Sequence, residues 1–135
     1  VHSLYYFRGV QGQRAMVLLS DGDDNISYIS FKDALEYASR SGVAIYTIGL
    51  NLSAFDTGIK GKLGELSASS GGRAFFTSHP DELPAIYKQI EAELRSRYLV
   101  AYNSSNSSGA PGFRPVEVKV KKNGIKARAA RGYYP

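Results

Sequence analysis

The 135 residues include no cysteine, which excludes disulfides, thiolate zinc sites, iron–sulfur clusters and cysteine nucleophiles together while leaving the redox compartment open. Histidine is almost as scarce. His2 and His79 are the whole complement, too few for an all-histidine metal site, and His79 beside Pro80 reads as a helix-start residue. Long apolar runs are missing as well. The longest, Ala15 to Leu19, falls far short of the ~20 residues that a membrane span needs. The first residues carry no signal-peptide pattern, and a soluble chain is expected. No Gly-x-Ser-x-Gly elbow surrounds Ser20, and no Gly-x-x-x-x-Gly-Lys-Ser/Thr pattern accompanies Gly58, Gly61 and Gly64. A serine hydrolase and a P-loop are thereby disfavoured, and the three glycines read as a flexible loop.

What is present suits one domain. Hydrophobic residues make up 43% and charged residues 21%, enough for a fold of this size to bury roughly two-thirds of its extended surface. The 17 Lys and Arg against 12 Asp and Glu leave +5, which permits an anionic partner without demanding one.

Ala15 to Leu19 ends in Ser20-Asp21-Gly22, the pattern of a strand covered on both faces, and is expected to lie centrally in a sheet. Ser30 and Asp33 then form a capping box, and Phe31, Ala34, Leu35 and Ala38 recur at helical spacing up to Gly42, predicting a helix between those stops. Val43 to Ile48 repeats the buried-strand pattern. Strand, helix and strand in so short a stretch make a βαβ unit with parallel strands. A short helix around Leu63 and Leu66, a Gly71-Gly72 stop and a strand over Arg73 to Thr77 follow. From Asp81, one helical face collects Leu83, Ile86, Tyr87, Ile90 and Leu94, with Pro84 tolerable in the first turn.

The pattern then changes. Tyr98 to Tyr102 predicts a strand and Asn103 to Gly112 an exposed Ser-rich loop. Val116, Val118 and Val120 alternate with Glu117, Lys119 and Lys121 before Asn123-Gly124, a type I′ turn into Ile125 to Arg131. That hairpin would pair Lys121 with Lys126, Lys119 with Arg128, Val120 with Ala127 and Val118 with Ala129, giving one apolar and one cationic face. Like charges directly opposite are unfavourable by up to about 1 kcal/mol per pair, so an acidic neighbour or anionic partner would relieve them. Lys119, Lys121, Lys126 and Arg128 form a candidate anion-binding patch, though lysines along a solvated edge also guard against aggregation. Tyr98, Tyr102, Tyr133 and Tyr134 fit half-buried packing roles with wet hydroxyls. No stacking platform for nucleic acid is evident.

Asp21, Asp23, Asp24 and Asn25 follow a strand where an open α/β sheet places its ligands, and their oxygens suit a hard cation. An EF-hand is excluded, because Ile26 stands at the glycine position and Lys32 at the bidentate glutamate. A turn in which these side chains bond their own backbone is the simpler alternative. A metal-dependent hydrolase or phosphotransferase using Asp21 and Asp23 is a second functional reading, but Ser20 intervenes between the strand and the first aspartate and no phosphate-binding lysine motif is present.

Arg14 to Gly22 (RAMVLLSDG), Val43 to Gly49 (VAIYTIG), Gly71 to Phe76 (GGRAFF), Leu83 to Tyr98 with its ELRSRY ending, and the terminal RGYYP together resemble von Willebrand factor type A domains, in particular the bacterial VWFA-related, Acidobacteria-type group. The resemblance implies a doubly wound, Rossmann-like α/β fold over residues 1–102, with residues 103–135 as a Ser-rich loop and hairpin extension. It further implies a non-enzymatic adhesion or protein-binding module, secreted or in the cell envelope, with a metal-ion-dependent adhesion site built from three loops. Asp21 matches the aspartate of the third loop. The Asp-x-Ser-x-Ser of the first loop is not among these 135 residues, and Val1 to Gly9 is similar to the end of the helix before the family's fourth strand, so the chain corresponds to a C-terminal portion. Mg²⁺ needs near-octahedral oxygen coordination. It is therefore expected only in a complete domain, with weak or no binding to this chain. The family's first strand would lie beside Ala15 to Leu19. Without it an unpaired edge is expected, open to a protein ligand or to self-association.

Overall fold

The computed structural model describes residues 2–21, 28–105 and 112–135. Its element order is α1 (His2–Tyr5), β1 (Ala15–Ser20), α2 (Phe31–Ser41), β2 (Ala44–Leu50), α3 (Thr57–Ser70), β3 (Ala74–Thr77), a 3₁₀ turn over Pro80–Glu82, α4 (Leu83–Arg95), β4 (Arg114–Pro115) and β5 (Gly132–Tyr133). The fold is mixed α/β. β1, β2 and β3 form a parallel sheet in that order, and β4 and β5 form a small antiparallel one.

Local chemistry explains α2 well. The Ser30 hydroxyl accepts the Asp33 amide at 3.1 Å and donates to its carboxylate at 2.7 Å, meeting an orphan donor of the first turn. At the other end Gly42 takes φ 62°, a left-handed stop that a side chain would strain. In α4, Pro84 lies in the first turn, where its missing N–H costs no helical bond.

β2 is the core. Ala44, Tyr46 and Ile48 pack with Phe75 and with Ile86 and Ile90 of α4, while Val43 and Ile45 pack with Leu4, Ala38 of α2 and Leu66 of α3. Alternate residues of a strand point to opposite faces, so α4 covers one face and α2 with α3 the other. α3 is bound to β2 by polar contacts too: the Thr47 hydroxyl lies 2.9 Å from the Ser67 hydroxyl and 3.1 Å from the Leu63 carbonyl oxygen, and the Ile45 amide donates to Ser70 Oγ at 2.9 Å. All three side chains are buried, a position polar groups hold only when their bonds are made.

Four expectations need correction. β1 is not the central strand that its apolar run suggests but lies at an edge, as expected from the resemblance, and among the described residues it pairs with β2 alone. Val17 and Leu19, in register with Tyr46 and Ile48, remain 39% and 48% exposed because α4 packs over β2 and β3. Gly58, Gly61 and Gly64 lie inside the 14-residue helix α3 rather than in a loop. A Cβ at any of the three would meet open space, so the helix carries them on sides not packed against β2. Tyr98 to Tyr102 forms no strand. Tyr98 and Leu99 are about nine-tenths exposed, and Tyr102 meets β5 through its ring, edge-on to Tyr133 with centroids 6.4 Å apart.

The hairpin is realised only at its base. β4 and β5 pair Arg114 with Tyr133 and Pro115 with Gly132, and the Val116 amide donates to Arg131 O at 2.8 Å. Continued toward Asn123-Gly124, this is the register the turn dictates, Lys119 opposite Arg128 and Lys121 opposite Lys126. Residues 117–130 nevertheless form no ladder, consistent with the repulsion of facing cations and the marginal stability of a lone two-stranded ribbon. The ribbon's end is anchored on α2, where the Arg40 guanidinium sits 4.0 Å from the Tyr134 ring centroid.

Candidate functional site

The carboxyl ends of β1, β2 and β3 point the same way, and there parallel sheets hold ligands. Asp21 directly follows β1 and is exposed. Asp23, Asp24 and Asn25 lie outside the described residues. After β2, Asn51 adopts φ 58°, a left-handed conformation that asparagine tolerates better than most residues, and its amide bonds Thr77 O at 2.9 Å. Asp56 then accepts both the Ser53 amide and the Ser53 hydroxyl at 2.7 Å; these bonds hold its carboxyl below the ordinary range. After β3, the Thr77 hydroxyl donates to the Glu82 carboxylate and accepts the His79 amide at 3.0 Å. Asp56 and Glu82 are thus engaged within their own turns.

Metal coordination can be tested on the donor set. Among the described residues there is no group of three or more His, Asp or Glu side chains able to hold an ion. Asp21 alone cannot supply the near-octahedral oxygens that Mg²⁺ demands, so the described residues do not by themselves fit the ion.

The cationic residues of the hairpin divide into two pairs. Arg128 donates to Glu93 of α4 at 2.7 Å, and Arg73 donates to the other oxygen of the same carboxylate at 3.0 Å. The acidic neighbour that the facing cations call for is supplied by α4. Lys119 is 3.2 Å from Glu117 with both side chains largely in water, an arrangement worth little. Lys121 and Lys126 flank the turn, exposed, with no ion pair among the described residues. Behind Glu93 the Tyr46 phenol is raised above its usual range, chiefly by burial, with Arg97 and Arg128 opposing the shift and Glu93 reinforcing it. Sequence reasoning missed Glu93. Its one signal is position: it lies seven residues beyond Ile86 and three beyond Ile90, on the stripe that faces the core.

Between the hairpin and the start of β3 runs a groove of about 590 Å³, walled by Gly64 and Ala68 of α3 and Ala74 on one side and by Ala127 and Ala129 on the other, with Arg73, Arg128, Arg131 and one carboxylate, Glu117, as its charged lining.

No family model matches the chain, and no curated protein matches it. Among solved structures, the crystal structure of an uncharacterized membrane spanning protein from Vibrio fischeri is similar, with TM-score 0.52 and 22% identity over 67% of this chain and 52% of that one. At such identity the likeness concerns the fold. The chain spans about half the length of that structure. Among the described residues no helix is long and apolar enough to cross a membrane.

Proposed function

We propose that the chain is part of a non-enzymatic protein-binding module of von Willebrand A type, with a doubly wound sheet and Asp21 as one corner of a metal-ion-dependent adhesion site. The observation that carries this reading is the placement of an exposed carboxylate directly at the carboxyl end of an edge strand, in a parallel sheet packed by helices on both faces. That is where an adjoining strand and its loop would bring further oxygens to a shared cation. Asp21 would supply one carboxylate to Mg²⁺, and the ion would in turn present an open position to a partner's carboxylate.

Calorimetric titration of Mg²⁺ tests the assignment. The product of the complete natural gene is expected to bind the ion and to lose at least about tenfold in affinity on Asp21→Ala, the scale of a damaged coordination shell, whereas the 135-residue chain binds weakly. Tight binding by the chain alone that ignores Asp21→Ala would overturn the reading, as would turnover of phosphate esters abolished by that substitution.

The outer edge of β1 belongs to the same proposal. An apolar strand with open N–H and C=O groups recruits another strand. The 135-residue chain is therefore expected to self-associate at micromolar concentration in sedimentation experiments, and Val17→Lys, which places a charge on that edge, to return it to a monomer. A monomeric wild-type chain with strongly protected amides over residues 15–19 would show that the edge is not open.

A further inference from the structure

We infer that the groove between the C-terminal hairpin and the start of β3 is a docking site for an extended acidic polypeptide segment. The inference goes beyond the Asp21 reading. Its strands being parallel, the sheet places Asp21 at one end and the groove, at the amino end of β3, at the other.

Charge is the first argument. Residues 112–135 hold seven of the 17 basic residues and one of the 12 acidic ones, a net +6, and the remaining residues sum to −1. The cationic character of the protein therefore resides in the segment that forms one wall of the groove, where Arg128 and Arg131 line it beside Glu117 while Lys119, Lys121 and Lys126 do not. The excess of positive charge on that segment steers an anionic partner toward it.

The second argument is shape. Gly64, Ala68 and Ala74 face Ala127 and Ala129 across the groove, small side chains that leave room for a main chain. The outer edge of β3 has no strand partner among the described residues, so its backbone groups can accept an added strand, a mode in which hydrogen bonds along the edge hold an extended peptide. The lining contains no aromatic ring, and single-stranded nucleic acid lacks the stacking surfaces it requires.

The third argument is chemical. The Glu93 carboxylate already sits between Arg73 and Arg128, one oxygen to each guanidinium at 3.0 and 2.7 Å. Guanidinium groups are matched to carboxylates in geometry as well as charge. Glu93 thus shows, within the molecule, how an acidic side chain would be gripped, and it competes with a ligand for two of the three arginines. Arg131, exposed at the same groove, remains for the ligand's own carboxylate.

The test uses the full chain and a fluorescently labelled, end-capped peptide Glu-Val-Glu-Val-Glu-Val, read by anisotropy. A uridine hexanucleotide and phosphatidylserine vesicles serve as comparison anions. The peptide is expected to bind, and Gly64→Leu, which fills the groove without altering charge, to weaken it at least tenfold. The substitution places a good helix former at an open position of α3; should it nonetheless perturb folding, Arg131→Glu provides an independent arm with the same expected loss. Glu93→Gln is expected to tighten binding severalfold by releasing Arg73 and Arg128. Absence of peptide binding, peptide affinity indifferent to Gly64→Leu and Arg131→Glu, or nucleotide or vesicle binding equal to that of the peptide would each overturn the proposal. Because Asp21→Ala is expected to leave peptide affinity unchanged, failure here is distinguishable from failure of the metal-site reading.

Discussion

Ile48→Ala is expected to lower the unfolding free energy by about 2–5 kcal/mol, the range for truncating a fully buried aliphatic side chain, while Leu19→Ala, its neighbour in register on β1, is expected to cost about 1 kcal/mol or less. The contrast follows from exposure. Ile48 is 0% exposed between β3 and α4, and Leu19 is 48% exposed on the uncovered part of the same face. Urea denaturation with a shared slope measures both. Equal losses would mean that β1 is covered as thoroughly as β2, and the edge assignment would fall.

Gly72→Ala is expected to destabilise the fold by about 3 kcal/mol, at the upper end of what overpacking costs. A Cβ at Gly72 would fall on the Ile45 carbonyl, 2.6 Å from its carbon, and that carbonyl belongs to the central strand, which has no room to shift. The same exchange at Gly64, inside α3 and facing open space, is expected to raise stability by about 0.5–1 kcal/mol, because alanine loses less backbone freedom in a helix. Thermal melts of the two variants should move in opposite directions. A Gly72→Ala protein that melts like the parent would show that the crossing of α3's exit over β2 is looser than described.

What the sequence made legible is what depends on near neighbours. Ser30 with Asp33 and Gly42 mark both ends of α2 because capping is settled within four residues. The β4–β5 base follows the register expected of a two-residue Asn123-Gly124 turn, although the turn is not type I′, because Gly124 takes φ 80° and Asn123 does not share the positive φ that type requires. The failures share one cause, dependence on remote contacts. Ala15 to Leu19 and Val43 to Ile48 are both apolar runs, and only the arrangement of strands decides which is covered on two sides. Gly58, Gly61 and Gly64 suggest a loop by composition, yet Leu63, Ser67 and Ser70 have packing partners on β2 that hold the helix. Tyr98 to Tyr102 has strand propensity, yet it meets β5 through the Tyr102 ring and not through a backbone ladder. Of the candidate sites, Asp21 was legible as a carboxylate after a strand; the union of Glu93 with Arg128, 35 residues away, was not.

The C-terminal ribbon is fastened at three points: the β4–β5 pair at its base, Tyr134 beneath Arg40 of α2, and Arg128 on Glu93 of α4. At those points the wall has given up freedom of motion before any partner arrives, although residues 117–130 form no ladder. That share of the entropic penalty is met during folding, and an association on the wall is left to overcome the ordering of the rest of the ribbon and of the incoming segment.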